Sequence, residues 1–186
     1  MHTLDRTMYF HSIWALLSLV AGLITYFYVR SRKQEYKELP ETLTYSGFWR
    51  RTTASLLDCA ILIALSKILF FSISKINIYT LLAYKGMIEE TRYYVFYVVV
   101  SSIVSLLYYT LQQASTHQAT IGMRVMGIKI YNASLERPTL PLLIGRYFSA
   151  YLSALPLFIG LLMIVWTRRN QALHDKIART VVCRQW

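Results

Sequence analysis

Charge is scarce in this chain. Only 16% of its 186 residues are Asp, Glu, Lys or Arg, against roughly a quarter in soluble domains. The shortage is one-sided, because nine acids face twenty Lys and Arg, a formal net charge of +11. Two cysteines, Cys59 and Cys183, exclude a disulfide framework. One lies in an apolar run and the other in a basic one, and both read as small hydrophobic residues. Four histidines at wide spacing give no metal-ligand pattern: His174 has only His117 and the distant His2 and His11 for company. The glycines build no phosphate loop, since "ATIGMRVMG" has two of them and no Gly-Lys pair. Its glycines suit a turn and close packing instead. With no nucleophile-base pairing and no paired carboxylates evident, neither enzymatic activity nor a cofactor or metal is expected.

What the chain has in abundance is apolar surface, 55% hydrophobic and 15% aromatic. That composition points to the bilayer as solvent. Its Lys and Arg cluster beside apolar runs rather than on a polar domain. They read as topology signals and headgroup contacts, not as a nucleic-acid interface. Fifteen tyrosines fit interfacial belts and interhelical bonds.

Four segments have membrane length. Residues 9–29 carry no charge and reach about 31 Å as a helix. This apolar core is longer than that of a signal peptide and its start is not basic, so an uncleaved anchor is expected. Residues 54–74 contain Asp58 and Lys67, both costly at the bilayer centre. Lys67 lies close enough to the far interface to snorkel, whereas Asp58 needs a partner, a proton or water. In residues 93–113, Ser101, Ser105, Tyr108 and Gln112 recur at helical spacing. Such a stripe faces other helices or a wet cavity. In residues 147–166, Pro156 breaks the run, and Gly145, Ser149, Ser153 and Gly160 lie on a small-residue stripe suited to close approach. Between the segments, "VMGIKIY" and "RTVVCR" read as short strands and "NASLERP" as a turn.

The basic residues decide the topology. If all four segments cross with the N-terminus outside, Lys and Arg divide almost equally between the two sides. If the fourth segment enters and returns, fifteen lie in the cytoplasm and four outside, with Lys67 left uncounted. The expected fold is therefore an all-α membrane protein. It has three transmembrane helices, a kinked or re-entrant fourth helical segment turning at Pro156 and Gly160, and a small cytoplasmic β-element in which "RTVV" pairs with "GIKIY". Residues 1–44 form an N-terminal anchor and a basic cytoplasmic linker, and residues 45–186 form the membrane domain.

Three motifs occur in order over residues 45–184. "YSGFWRRTTASLLDCAIL" places Arg51 seven residues before Asp58, "QATIGMRVMGIKIY" supplies a glycine and basic stretch, and "ALHDKIARTVV" contains Asp175. Together they resemble the RDD family of membrane proteins, with Met123 where that family commonly has Lys. The resemblance implies one Arg and two Asp as the defining residues. Some members of the family look like cation/proton antiporters and others like assembly scaffolds, and no cofactor or reaction is implied.

Arg51 and Asp58 share a helix face but lie too far apart along the axis for easy contact. Arg146 is the expected partner of Asp58, and Asp175 the expected partner of Arg51. These four are the candidates for ion pairing or for proton and cation exchange. His174, beside Asp175, reads as a capping or interfacial group, and Ser101, Ser105 and Gln112 are secondary candidates. The function expected is a scaffold or assembly component in a plasma or bacterial inner membrane, with the N-terminus outside and the C-terminus cytoplasmic. Its partners are the lipid bilayer and either a second copy or another membrane protein. The alternative is a small cation/proton antiporter using Asp58.

Overall fold

The structure, a computed structural model, describes residues 2–31, 35–75, 90–154 and 159–185. Three long helices dominate: α1 (His2–Ser31), α2 (Phe48–Lys75) and α3 (Glu90–Ala114). Neither α2 nor α3 contains Gly or Pro, so nothing in their backbones interrupts the hydrogen-bond ladder. The β-branched stretch of α3 is helical despite its strand-like composition, because a strand would leave its polar backbone dependent on neighbours. Phe48–Leu69 is the one stretch among the described residues long and apolar enough to cross a bilayer, and Ala15–Ser31 is a shorter apolar helix.

The fourth apolar segment contains two described helices, and Pro156, the expected turning point, lies outside the described residues. Helix α5 (Leu140–Ala154) starts seven residues before the expected boundary, with Pro141 in its first turn, where a missing N–H is tolerated. At about 22 Å it is too short to cross the hydrocarbon core. The short helix α6 (Ile159–Leu162) then lies against α5, with Gly160 beside the Ser153 backbone. The chain has therefore turned back. It continues through α7 (Leu173–Ile177) into strand β3 (Thr180–Gln185).

Strand β3 is the centre of a three-stranded antiparallel sheet, between β1 (Leu43–Tyr45) and β2 (Ile128–Asn132). Ile130 faces Val182 across β2 and β3, and Tyr45 faces Cys183 across β1 and β3. Alternation gives the sheet two apolar faces. Ile128, Ile130 and Val182 join Ala54, Met123 and Leu143 from the helices. On the opposite face Tyr131, Val181 and Cys183 meet Tyr36 and Leu39 of the linker. The linker is thus a cover for the sheet rather than a free tether. The side chain and backbone of Gln118 both bond Ile130, which closes the outer edge of β2.

Helix α1 lies along α5 through Ser18, Gly22, Thr25 and Val29, a buried stripe at helical spacing. Gly145 makes this approach possible, because any Cβ there would run into the Thr25 side chain. The small-residue face of α5 is therefore filled from within the chain. The outward faces are apolar and uncovered: Leu16, Leu23 and Phe27 on α1, Leu56 and Ile63 on α2, and Val99, Ile103, Leu107 and Leu111 on α3. At one end of the bundle the C-terminus of α1, the N-termini of α2 and α5, the C-terminus of α3 and the sheet all meet.

Candidate functional site

The buried face of α2 carries Arg51, Ala54 and Asp58 at spacings of three and four. This face positions two carboxylate sites, one at Asp58 and one where Arg51 reaches out of the helix.

Asp58 is 2% exposed and receives three hydrogen bonds, all from uncharged donors. The Tyr108 hydroxyl of α3 donates at 2.7 Å, the Thr120 hydroxyl at 2.6 Å and the Gly122 backbone N–H at 2.8 Å. The last two come from the start of a short helix, α4 (Ile121–Val125). Thr120 caps α4 by accepting the Met123 N–H while it donates to Asp58. Gly122 lies so close to α2 that an added Cβ would overlap the Ala54 carbonyl and crowd the Asp58 carboxylate at 2.9 Å. The "TIG" stretch thus brings a backbone amide onto a buried acid, which no larger residue permits.

Asp175 is fully buried as the third residue of α7. Its Oδ2 accepts from Arg51 Nη1 at 2.6 Å and from the Ala172 N–H at 3.2 Å. Its Oδ1 accepts from Arg146 Nε at 3.0 Å and Nη2 at 2.7 Å. Arg146 also donates to Gln113 Oε1 at 3.2 Å, and Arg51 to the Ser46 and Val182 carbonyls. One carboxylate therefore joins α2, α5 and α7, with α3 and β3 tied in through the arginines. Burial alone would raise the Asp175 pKa, but Arg146 and Arg51 outweigh it and hold the group well below the ordinary carboxylate range.

His174 lies 3.4 Å from Asp175, and its Nδ1 is 3.2 Å from Ser153 Oγ. Burial pushes its pKa down to about 4; Asp175 opposes this shift, while Arg146 and Arg51 reinforce it. The imidazole is neutral at neutral pH and acts as a packing and hydrogen-bonding group. Burial raises Cys183 to about 11, so it is an inert small residue in the sheet.

Three of the four expected ion-pair residues converge on one point, Arg51 and Arg146 both on Asp175. The expected pairing of Arg146 with Asp58 does not occur. Arg146 lies at the α7 end of the bundle, and hydroxyl and amide donors have already taken the Asp58 oxygens. Of the polar stripe on α3, Tyr108 reaches Asp58, and Ser105 bonds Tyr147 of α5 at 2.5 Å. Ser101 and Ser105 line a cleft of about 290 Å³ between α2 and α3, together with Ser66 and Ser102. Gln112 is half-buried near the end of the stripe. Thr120, Gly122 and Gln113 were not expected at these sites. A glycine between a capping threonine and a basic turn was the available signal for the first two. Among the described residues no cluster of three or more His, Cys, Asp or Glu has the proximity to hold a metal ion.

A helical domain with an apolar exterior, organised around two buried Asp of which one is clasped by Arg51 and Arg146, is the class that this geometry defines. The chain belongs to the RDD family, whose model matches residues 45–179. It is similar to the uncharacterized protein YxaI of Bacillus subtilis (strain 168), 33% identical over 145 residues, 74% of this chain and 95% of that protein. It also resembles the uncharacterized protein RP437 of Rickettsia prowazekii (strain Madrid E), 44% identical over 66 residues, 35% of this chain and 36% of that one. No solved structure matches. Residues 1–44, with α1, lie outside the family match.

Removing the shared carboxylate leaves two guanidinium groups without a counter-charge. Asp175→Ala is expected to cost roughly 3–5 kcal/mol, read as loss of the monodisperse peak in size-exclusion chromatography in mild detergent. A peak indistinguishable from wild type would show the pairing to be idle.

The His174 pKa, about 4 when folded, lies below its ordinary 6.5. Between those values the unfolded chain takes up a proton that the folded protein refuses. Stability is therefore complete above pH 6.5 and falls by up to about 1.4 kcal/mol per pH unit as pH drops towards 4. Asp175 acts in the same direction at still lower pH. Melting temperatures of wild type and His174→Gln from pH 7.5 to 4.5 will show the steeper acid decline in wild type; parallel profiles would exclude His174 as its source.

Proposed function

We propose that this RDD-family protein is a multi-pass membrane scaffold with three transmembrane helices, a re-entrant fourth segment and a cytoplasmic β-element. The observation that carries the scaffold reading is that both buried carboxylates are fully engaged. Asp58 is sealed by three fixed donors, and Asp175 is held between two arginines. A carboxylate that exchanges its proton needs water or a vacated partner, and a sealed acid is suited to holding helices in register. The small-residue face of α5 is taken by α1, so a partner helix would meet the uncovered apolar faces of α1, α2 and α3. No enzymatic reaction is part of this reading. The membrane is the plasma membrane or a bacterial inner membrane.

Chain reversal and charge support this topology. Strand β3 returns to the first turn of α2, where the Ser46 N–H bonds the Val182 carbonyl at 2.8 Å. The basic linker, central loop and tail then share one side, which the positive-inside tendency makes cytoplasmic. Lys176 is exposed on α7 and reports that side. A Lys176→Cys variant with Cys59 replaced by Ala should react with an impermeant maleimide only from the cytoplasmic face of sealed vesicles. Labelling from the opposite face alone would overturn the topology.

One observation favours the antiporter reading. The serine-lined cleft adjoins Ser105, which stands one turn from Tyr108, the donor to Asp58. Cation-driven proton movement in proteoliposomes separates the two. The scaffold reading expects wild type to match empty vesicles. Exchange in wild type that vanishes in a folded Asp58→Asn variant would establish the antiporter instead.

A further inference from the structure

Helix α4 lies beside the first turns of α2, and its outward side combines apolar and cationic groups. Gly122 and Met123 are buried against α2, whereas Ile121 and Val125, four residues apart and on one face, are exposed. Arg124 is exposed beside them. Arg50 crosses from α2 to donate to the Met126 carbonyl at 3.1 Å, which brings a second guanidinium against the last turn of α4. Trp49, on the same turn as Arg50, is 79% exposed.

The depth of these groups follows from helix geometry. Gly122 meets α2 at Ala54 and Asp58. Asp58 is nine residues, about 14 Å, along the axis from Trp49. The headgroup layer occupies roughly 6 Å of each leaflet and hydrocarbon begins beneath it. Gly122 packs at Ala54 and Asp58 while Arg50 reaches the Met126 carbonyl, so α4 runs toward the start of α2, with Ile121 at its deeper end and Arg50 at its outer end. Residues 48–57 and 119–132 contain no acidic side chain. The nearest acid along α2, Asp58, is buried with its oxygens already engaged.

We propose that α4 and Arg50 form a binding site for the headgroup of an anionic phospholipid. Arg50 and Arg124 take the phosphate, for which guanidinium geometry is suited. Ile121 and Val125 contact the upper acyl chain. The site rests on the membrane placement proposed above and is independent of the choice between scaffold and antiporter.

Native mass spectrometry of the full-length protein in detergent, titrated with phosphatidylglycerol or phosphatidylcholine, tests the site. Phosphatidylglycerol is expected to bind more tightly. With each surface cation contributing about a fivefold factor, Arg124→Gln should weaken it about fivefold and Arg50→Gln with Arg124→Gln about 25-fold. Lys176→Gln, on an exposed cation of α7, should leave it unchanged. Equal affinity for the two lipids overturns the site, as does undiminished phosphatidylglycerol binding by Arg124→Gln, whose side chain is exposed. Inorganic phosphate that competes at the same concentration would identify a free-phosphate site and overturn the lipid assignment. Wild type that fails to incorporate into phosphatidylcholine nanodiscs would sink the membrane placement together with the site. Incorporation without lipid preference would sink the site alone.

Discussion

A single carboxylate shared by two arginines holds this molecule together. Arg51 belongs to α2 and Arg146 to α5, and each is largely removed from water. Desolvating either guanidinium costs several kcal/mol unless an anion meets it. Asp175 is that anion for both, and it reaches them only because the chain turns back after α5. The reversal, the central position of β3 and the closeness of α7 to α5 are therefore one arrangement seen from three places. The helices cannot adopt another register without separating at least one of these charges from its partner.

The two buried acids are stabilised in different ways. Asp175 is neutralised by full opposing charges, near the end of the bundle where the sheet and helix termini gather. Asp58, about 10 Å along α2 from Arg51, is held by two hydroxyls and one backbone amide. These donors add no net charge. Deeper in an apolar setting, dipoles aimed at the carboxylate avoid the cost of bringing a second ion there. Such dipoles must be fixed in place, and Gly122 and the capping Thr120 do this through rigid backbone.

Much of this plan was legible in the sequence. The seven-residue spacing of Arg51 and Asp58 announced a shared face, and the uneven placement of Lys and Arg implied that the tail returns to α2. Both strands of the β2–β3 pair stood out by their β-branched residues. The partner of Asp58 was not legible, because a search for opposite charge leads to Arg146 and passes over neutral donors. Strand β1 is three residues long and gains its form from β3, so no local pattern marks it. Helix α4, five residues long, is too short to be stable alone and exists through its contacts with α2. The docking of α1 was within reach, since Ser18, Gly22 and Thr25 carry the same small-residue signal that was recognised on α5.

The order of synthesis gives the shared carboxylate a temporal meaning. Arg51 and Asp175 are separated by 124 positions, and α7 and β3 emerge from the ribosome after every helix that they join. Until then the sheet lacks its middle strand, and both arginines wait without their anion. Closure by β3 can therefore come only after the C-terminal segment has been made. An incompletely made chain would carry two orphaned cations in a half-assembled bundle, a defect that cellular proteolysis is well placed to recognise.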